Sequence, residues 1–351
     1  MTQRIPLNRG WEFTEHYTDA FSAGAGGTDI ETVELPHTTR VVPYSYFDES
    51  LYEMDCGYRR RLDVPESWAG KRVFLHIGAA GHRAEVFVNG KRLAEHRCGY
   101  TAFRVELTEE LSPGAEALLS VRVDSRESLD QPPFGFVIDY MTFGGLYREV
   151  WLEVRDRRFI DDVFARPRFG GQLDSTVTLA GDTEGLRLRQ RVLSLPDGAL
   201  VAEHVSEAEG ERTEISFRCP GALPWSVEQP RLYTLVTELL LAGGAVVDRC
   251  KTVIGFRKAE WRADGLWLNG RKVKLVGLNR HQSYPYAGYA VPASLQRHDA
   301  DILKRELGLN AVRTSHYPQS QHFLDRCDEL GLLVFTEIPG WQHIGGEEWK
   351  E

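Results

Sequence analysis

The chain has 351 residues, of which 42% are hydrophobic and 26% are charged, proportions that are ordinary for a soluble globular protein. The formal net charge of −9 argues against a nucleic-acid partner or an anionic membrane, because either would require a basic face. No apolar run approaches the roughly 18 residues that cross a bilayer, and the amino terminus lacks the apolar segment of a signal peptide. With five scattered cysteines and no C-x-x-C pair, the composition predicts a cytoplasmic protein with free thiols rather than disulfides or a zinc site.

The first part of the chain has the pattern of a β-sandwich. From Trp11 to about Val154, short alternating runs such as "KRVFLHIG", "ALLSVRVDS" and "YREVWLEV" are separated by turns. Within "VFVNGKRL", Asn89 and Gly90 predict a two-residue hairpin turn, because both residue types tolerate positive φ. Since hardly any helical stretch intervenes, we predict a jelly-roll β-sandwich of the sugar-binding type over residues 1–157.

A second β region runs from about Phe159 to Arg257. Runs such as "STVTLAG", "LRLRQRVLSL" and "LYTLVTELLLAG" alternate or are continuously apolar between Gly, Pro and Asp. Roughly seven strands in about 100 residues are typical of an immunoglobulin-like β-sandwich. We assign this second domain to residues 158–258.

After Trp261 the pattern changes to alternating strands and helices. A hairpin turning at Asn269-Gly270 precedes the strands "VKLVGLN", "NAVRTSHYP" and "LLVFTEIPGW", with a helical segment between each strand and the next. This order predicts a parallel sheet. A (β/α)8 TIM barrel uses about 31 residues per unit, so residues 259–351 supply about three units of a partial barrel. The predicted fold class is multidomain, mainly β and then α/β.

Both predicted helices carry an apolar face and a glycine stop. In the first, Gly308 ends the helix and the core face comprises Leu295, Ile302, Leu303 and Leu307, whereas Asp299 and Asp301 point in different directions and are expected to be surface charges. In the second, Gly331 ends the helix and the core face comprises Phe323, Leu324, Cys327 and Leu330.

Each of the three predicted barrel strands ends in a polar or aromatic cluster. The clusters are Asn279-Arg280-His281, Arg313 to Tyr317, and Glu337 with Trp341 and His343. Barrel chemistry lies at the carboxyl ends of the strands. Polar groups mixed with Trp and Tyr suit a sugar, because hydroxyls need donors and acceptors while the pyranose face stacks on a ring. Most of the 8 Trp and 13 Tyr residues are nevertheless expected to fill sandwich cores.

Two other chemistries are weaker fits to these clusters. Ser315 and His316 are adjacent on a strand and point to opposite faces, so they do not make a nucleophile and base, and no G-x-S-x-G motif is present. A metal site built from His281, His316 and His343 is geometrically possible in a barrel, but no spacing in the sequence requires one.

Three segments resemble glycoside hydrolase family 2, most closely its bacterial β-galactosidases. They are "GLNRHQSYP", "DADILKRELGLNAVRTSHYP" and "FLDRCDELGLLVFTEIPGWQHIG". The order of the three domains and "DYMTFGGLYREVWL" agree, so the resemblance covers nearly the whole chain. It implies a retaining exo-β-glycosidase acting on terminal β-D-galactosides. The alternatives are β-glucuronidase or β-mannosidase specificity, and a non-catalytic carbohydrate-binding or assembly fragment.

The resemblance also implies a set of substrate-binding residues. His316 resembles a family histidine that contacts sugar hydroxyls, and Asp139 resembles a jelly-roll carboxylate that reaches into the pocket. Arg313 resembles an arginine that supports the charge of the nucleophile. Gln282 stands where many relatives have a glutamate. The full predicted set is Asp139, Asn279, His281, Arg313, His316, Trp341 and His343.

Neither catalytic carboxyl is expected in this chain. Retaining hydrolysis needs two carboxyls roughly 5–5.5 Å apart, and the family takes them from an Asn-Glu pair after the fourth strand and a glutamate near the seventh. Glu337, at the third strand, is therefore not assigned to catalysis, and the isolated chain is expected to be inactive. Expected partners are a β-galactoside and either the remainder of the barrel or another copy of the chain. No cofactor is expected within this chain, and a divalent or sodium ion in a complete enzyme is left open.

Overall fold

The computed structural model describes residues 2–27, 29–41, 48–134, 140–340, 342–343 and 345–347. In chain order these residues form a first β-sandwich, a second β-sandwich and a short α/β region with a parallel sheet. This order confirms the predicted fold class of two sandwiches followed by a partial TIM barrel.

The first β-sandwich consists of two antiparallel sheets. Among the described residues its elements are β1 (Gln3–Pro6), β2 (Trp11–Thr14), α1 (Asp19–Ser22), β3 (Glu31–Val33), β4 (Asp55–Asp63), β5 (Arg72–Ile77), β6 (Arg83–Val88), β7 (Lys91–His96), β8 (Phe103–Glu106), β9 (Glu116–Asp124) and β10 (Val150–Arg155). One sheet has the order β3-β2-β4-β9-β6-β7 and the other β1-β10-β5-β8. Side chains from both sheets form one apolar core.

Alternating side chains explain how these strands share a core. In β10, Val150, Leu152 and Val154 are buried while the residues between them are only partly buried, as period-two alternation requires. The hairpin between β6 and β7 is confirmed, with φ of 50° at Asn89 and 79° at Gly90. Strand β1 lies before the first predicted strand. It was missed because it is a short edge strand joined to β10 through its backbone.

The second β-sandwich follows directly, and its residues are all described. Its seven strands, the predicted number, are β11 (Phe159–Arg168), β12 (Gln172–Ala180), β13 (Arg187–Ser194), β14 (Leu200–Glu207), β15 (Arg212–Arg218), β16 (Tyr233–Leu240) and β17 (Val246–Ile254). The sheets have the orders β11-β12-β15 and β14-β13-β16-β17. Glu238 is fully buried in the larger sheet, and ion pairs with Arg189, Arg191 and Arg249 offset the cost of burying its charge.

The α/β region begins with an antiparallel ribbon and continues as a parallel sheet. Its elements are β18 (Ala259–Arg262), β19 (Gly265–Leu268), β20 (Arg271–Val273), β21 (Gly277–Arg280), α2 (Ala293–Asp301), β22 (Ala311–Thr314), α3 (Gln321–Leu330) and β23 (Leu333–Phe335). Strands β21, β22 and β23 pair in parallel, and α2 and α3 are the crossovers. The helices pack on one face of this sheet through Leu303, Val312, Phe323 and Cys327.

The first predicted helix departs from its expected periodicity. After α2 the chain continues as a π-helical turn, Ile302–Glu306, in which the Leu307 N–H donates to the Ile302 carbonyl at 3.0 Å. A π turn adds a residue and rotates the side chains that come after it. The prediction that Leu307 faces the core is therefore wrong: this side chain is 52% exposed, and Leu309 is buried instead.

A buried guanidinium joins β21 to both helices. The side chain of Arg280 contacts Asp299 at 2.5 Å, Gln296 at 2.8 Å and Gln319 at 2.5 Å, and it lies over the ring of Phe323. The expectation that Asp299 is a plain surface charge is wrong, because its carboxylate pairs with this buried cation. Sequence spacing on α2 could not reveal a partner that arrives from another element.

None of the helices in the described ranges is long and apolar enough to cross a membrane.

Replacing Arg280 by methionine is expected to destabilise the α/β region by about 3 kcal/mol, because it leaves Asp299 and two buried amides without their donor. Urea unfolding of Arg280→Met against the unmodified chain measures the loss. Arg305→Met is the matched control: Arg305 pairs with Asp301 at 65% exposure, and its loss is expected to cost about 0.5 kcal/mol. Equal effects of the two substitutions would contradict this account.

Acid is expected to destabilise the first sandwich through two buried histidines. Burial lowers the pKa of His37 and of His82 to about 4 from the ordinary 6.5. The pKa of each histidine is lower in the folded state than in the unfolded state, so only the unfolded state gains a proton as the pH falls from about 6.5 towards about 4. The free energy of unfolding therefore decreases over this interval, by up to about 3 kcal/mol per histidine. Thermal unfolding across this interval measures the loss, and a His37→Phe/His82→Met double variant should lose less. If the melting temperatures of the unmodified chain and the double variant decreased equally as the pH falls, the two histidines would not be the cause.

Candidate functional site

The candidate site lies at the carboxyl ends of β21, β22 and β23. Parallel register places Asn279 opposite Arg313 and Arg313 opposite Phe335, so these three side chains share one face of the sheet. The next residues, Arg280 and Thr314, are buried on the opposite face, where the helices pack. Alternation thus directs Asn279 and Arg313 away from the helices, towards the side that forms the inside of a barrel.

A carboxylate holds the ends of β22 and β23 together. Glu337 forms an ion pair with Arg313 and lies 2.8 Å from Nδ1 of His316. Since an ionised carboxylate only accepts hydrogen bonds, Nδ1 of His316 carries the proton and donates it. This bond orients the imidazole ring. The side chains of Glu337 and His316 are only 22% and 10% exposed, whereas that of Arg313 is 45% exposed.

His281 and His316 come from neighbouring strands and meet at this edge. Their rings lie 5.4 Å apart at 75°. The ring of Tyr140, from the first sandwich, lies 5.3 Å from His281 and 5.9 Å from His316. Nδ1 of His281 lies 3.4 Å from the Tyr317 hydroxyl. The site therefore combines histidines from the parallel sheet with a tyrosine from the first domain.

A buried aromatic cluster underlies the site. In the described residues it contains Tyr52, Tyr100, Tyr140, Phe143, Tyr147, Tyr289 and Tyr317, with Ala79 and Cys98. Tyr317 stacks on Tyr100 with ring centres 4.4 Å apart, and Tyr289 donates to the Met141 carbonyl at 3.0 Å. Burial raises the pKa of Tyr317 to about 12, and it raises the pKa values of Tyr100 and Tyr289 well above the ordinary 10.

Sequence reasoning missed this cluster. These tyrosines were expected in sandwich cores, but they lie where the first sandwich meets the α/β region. A signal was available: Tyr140 and Tyr147 lie within "DYMTFGGLYREVWL", and Tyr317 within "RTSHYP". Tyr140 directly follows the candidate Asp139, and Tyr317 directly follows the candidate His316, a position expected at a junction rather than in a uniform core.

The structure brings together only part of the predicted site set. Arg313, His316 and His281 cluster, and Asn279 lies level with them. The backbone N–H of His343 donates to the Gly340 carbonyl at 2.9 Å, and a role for its side chain in the pocket stays a prediction. Asp139 and Trp341 lie outside the described residues.

Two alternative chemistries can be compared with this geometry. Ser315 is fully buried, and its hydroxyl has no hydrogen-bond partner among the described residues, whereas His316 binds Glu337. This arrangement agrees with the rejection of a serine nucleophile. Within the described part of the chain, no group of three or more His, Cys, Asp or Glu residues is arranged to hold a metal ion.

Family models match successive parts of the chain. The model for the sugar binding domain of glycosyl hydrolases family 2 matches residues 37–155, the general model for glycosyl hydrolases family 2 matches 159–257, and the model for the TIM barrel domain of the family matches 260–348. The chain belongs to glycosyl hydrolase family 2.

Individual relatives agree with this assignment. The chain is 42% identical to a β-galactosidase of Thermoanaerobacter pseudethanolicus, over 99% of the chain and 48% of that protein. It is 40% identical to a β-galactosidase of Thermoanaerobacterium thermosulfurigenes, over 100% of the chain and 50% of that protein. Among solved structures, a Bacteroides uniformis β-glucuronidase superposes with a TM-score of 0.86 at 28% identity, over 97% of the chain and 42% of that structure. The chain thus spans about half the length of the curated relatives it matches.

Tyrosine titration tests the burial of the aromatic cluster. With its pKa raised to about 12, Tyr317 should contribute little tyrosinate absorbance below about pH 11. Tyr317→Phe is therefore expected to leave the amplitude up to that pH unchanged, provided the protein stays folded. A decrease of the amplitude below that pH in Tyr317→Phe would show that Tyr317 is accessible to solvent.

Proposed function

We propose that this chain contributes part of the sugar pocket of a retaining exo-β-glycosidase that acts on terminal β-D-galactosides. The main support is the group formed by Glu337, Arg313, His316 and His281 at the carboxyl edge of a parallel sheet. Such an edge offers oriented donors and acceptors to sugar hydroxyls. The two β-galactosidase relatives at 42% and 40% identity, each matched along nearly the whole chain, support the choice of sugar.

The proposal assigns separate roles to the site residues. His316, oriented by Glu337, and His281 contact sugar hydroxyls, and Asn279 and Arg313 line the inner face of the sheet. Asp139, Trp341 and His343 complete the pocket in this proposal. In the proposed division of the chain, Asp139 belongs to the domain 1–157 and the other site residues to the domain 259–351, whereas the domain 158–258 supplies none of them.

Glu337 is assigned to orientation rather than to bond cleavage. Its two carboxylate oxygens already bind Arg313 and His316. A nucleophile or acid/base must instead face the anomeric centre with a second carboxyl roughly 5–5.5 Å away. We propose that both catalytic carboxyls belong to the part of a complete enzyme that this chain does not include. The complete enzyme would protonate the glycosidic oxygen and form a covalent glycosyl-enzyme, which water then hydrolyses.

β-Glucuronidase specificity is the second candidate, because a relative at 31% identity from Bacteroides fragilis and the superposed Bacteroides uniformis structure bear that name. A glucuronide carries a carboxylate that needs a cationic partner. In the described part of the pocket, the guanidinium of Arg313 is neutralised by Glu337. This pairing favours a neutral sugar.

Calorimetry with isopropyl β-D-thiogalactoside, which resists hydrolysis, tests the proposal directly. The chain is expected to bind it, and His316→Ala should weaken binding at least about tenfold, equal to about 1.4 kcal/mol, because an oriented donor is lost. His204→Ala is the matched control, since His204 stacks on Phe217 in the second sandwich, and it should bind as the unmodified chain does.

A matching titration with a β-D-thioglucuronide decides between the two sugars. Tighter binding of the glucuronide would replace galactoside specificity by the second candidate. Thiogalactoside binding that survives His316→Ala unchanged would place the sugar elsewhere, as expected for a non-catalytic carbohydrate-binding module.

A further inference from the structure

Arg148 connects the first sandwich to the α/β region through carbonyl oxygens. One terminal nitrogen of its guanidinium lies 3.2 Å from the carbonyl of Tyr100 and 3.5 Å from that of Gly78. The other lies 3.0 Å from the side-chain oxygen of Gln282 and 3.0 Å from the carbonyl of Pro318. One end of the planar group therefore contacts the sandwich, and the other end contacts the α/β region.

The two α/β contacts of Arg148 flank the site histidines. Gln282 directly follows His281, and Pro318 comes two residues after His316. These residues belong to different strand ends, β21 and β22, so one guanidinium fixes both segments at once. Gln282 is only 2% exposed. Water therefore cannot readily replace Arg148 as the hydrogen-bond donor to its side-chain oxygen.

Tyr317 reinforces the same connection. Its ring stacks on Tyr100, whose carbonyl accepts from Arg148, with ring planes within 6° of parallel. Its hydroxyl lies 3.4 Å from the Gln282 backbone nitrogen and 3.4 Å from Nδ1 of His281. The chain segments that carry both histidines are thus held against the sandwich by one cation and one aromatic stack.

We infer that Arg148 is a positioning residue for the pocket, which sets the placement of His281 and His316 by holding Gln282 and Pro318 against the first sandwich. The role of this pocket in sugar binding rests on the proposed function, whereas the positioning itself does not. Arginine suits the task because its flat fork of donors reaches acceptors on two sides. A lysine ammonium is a single point charge and cannot span both sides.

Nuclear magnetic resonance of histidine ring signals in the 351-residue chain tests the inference without any ligand. Signals of His281 and His316 are assigned by their loss in His281→Gln and His316→Gln. Arg148→Met is expected to move both signals while that of His204, in the second sandwich, stays in place. It is also expected to weaken isopropyl β-D-thiogalactoside binding about tenfold.

Two controls separate positioning from loss of stability or of interface contacts. Arg155→Met makes the same substitution at a residue only 11% exposed, whose partners are Glu153 and the Ile160 carbonyl. Glu149→Ala removes a neighbouring contact across the junction, the 3.0 Å contact between Glu149 and His322 on α3. Neither control is expected to move the two histidine signals.

The outcomes are distinct. Unmoved His281 and His316 signals in a folded Arg148→Met variant would overturn the inference, as would equal movement in either control. If Arg148→Met does not fold, the same spectra are recorded for Arg148→Lys. Movement of the His281 and His316 signals in that variant supports the inference, and unmoved signals overturn it. If the unmodified chain binds no thiogalactoside, the proposed function fails, while the histidine signals still decide the positioning role.

Discussion

The parallel pairing of β21, β22 and β23 is the constraint on which the candidate site depends. Parallel strands carry their carboxyl ends to one edge, so residues far apart in sequence, such as Asn279 and Arg313, become neighbours. Alternation along each strand then divides side chains between two faces. Arg280 is turned to the helices, where it binds Asp299 and the amides of Gln296 and Gln319. The same pairing that anchors the helices therefore leaves Asn279 and Arg313 on the opposite face.

The charged side chains at this edge of the sheet are paired with one another. Glu337 accepts from both Arg313 and His316, so the network has one carboxylate facing one guanidinium and one imidazole. In a partly buried setting such pairs hold their side chains in a defined geometry more than they add stability. This pairing of charges is one of the grounds for proposing a neutral sugar rather than an anionic one.

The junction between the first sandwich and the α/β region contains both aromatic packing and hydrogen bonds. Tyr100, Tyr289 and Tyr317 bury large rings against each other, and each also has a polar group in a hydrogen bond. The bond from the Tyr289 hydroxyl to the Met141 carbonyl crosses the junction. Aromatic rings with a polar tip suit such a boundary, because the ring provides apolar contact area and the hydroxyl a directional bond. With Arg148 bound to carbonyl groups on both sides, the first sandwich is structurally part of the candidate pocket.

The sequence by itself determined the order of the domains, the hairpin at Asn89-Gly90 and the strand–helix alternation after Trp261. These features depend on local periodicity and turn chemistry, which are visible in short windows. It also indicated the strand-end clusters around His281, His316 and Glu337. Only the tertiary structure decided that Asp299 pairs with Arg280, that a π turn exposes Leu307, and that Arg148 and Tyr317 join two domains beneath the histidines. Each of these features depends on how residues distant in sequence pack together, or on a backbone register that side-chain periodicity does not encode.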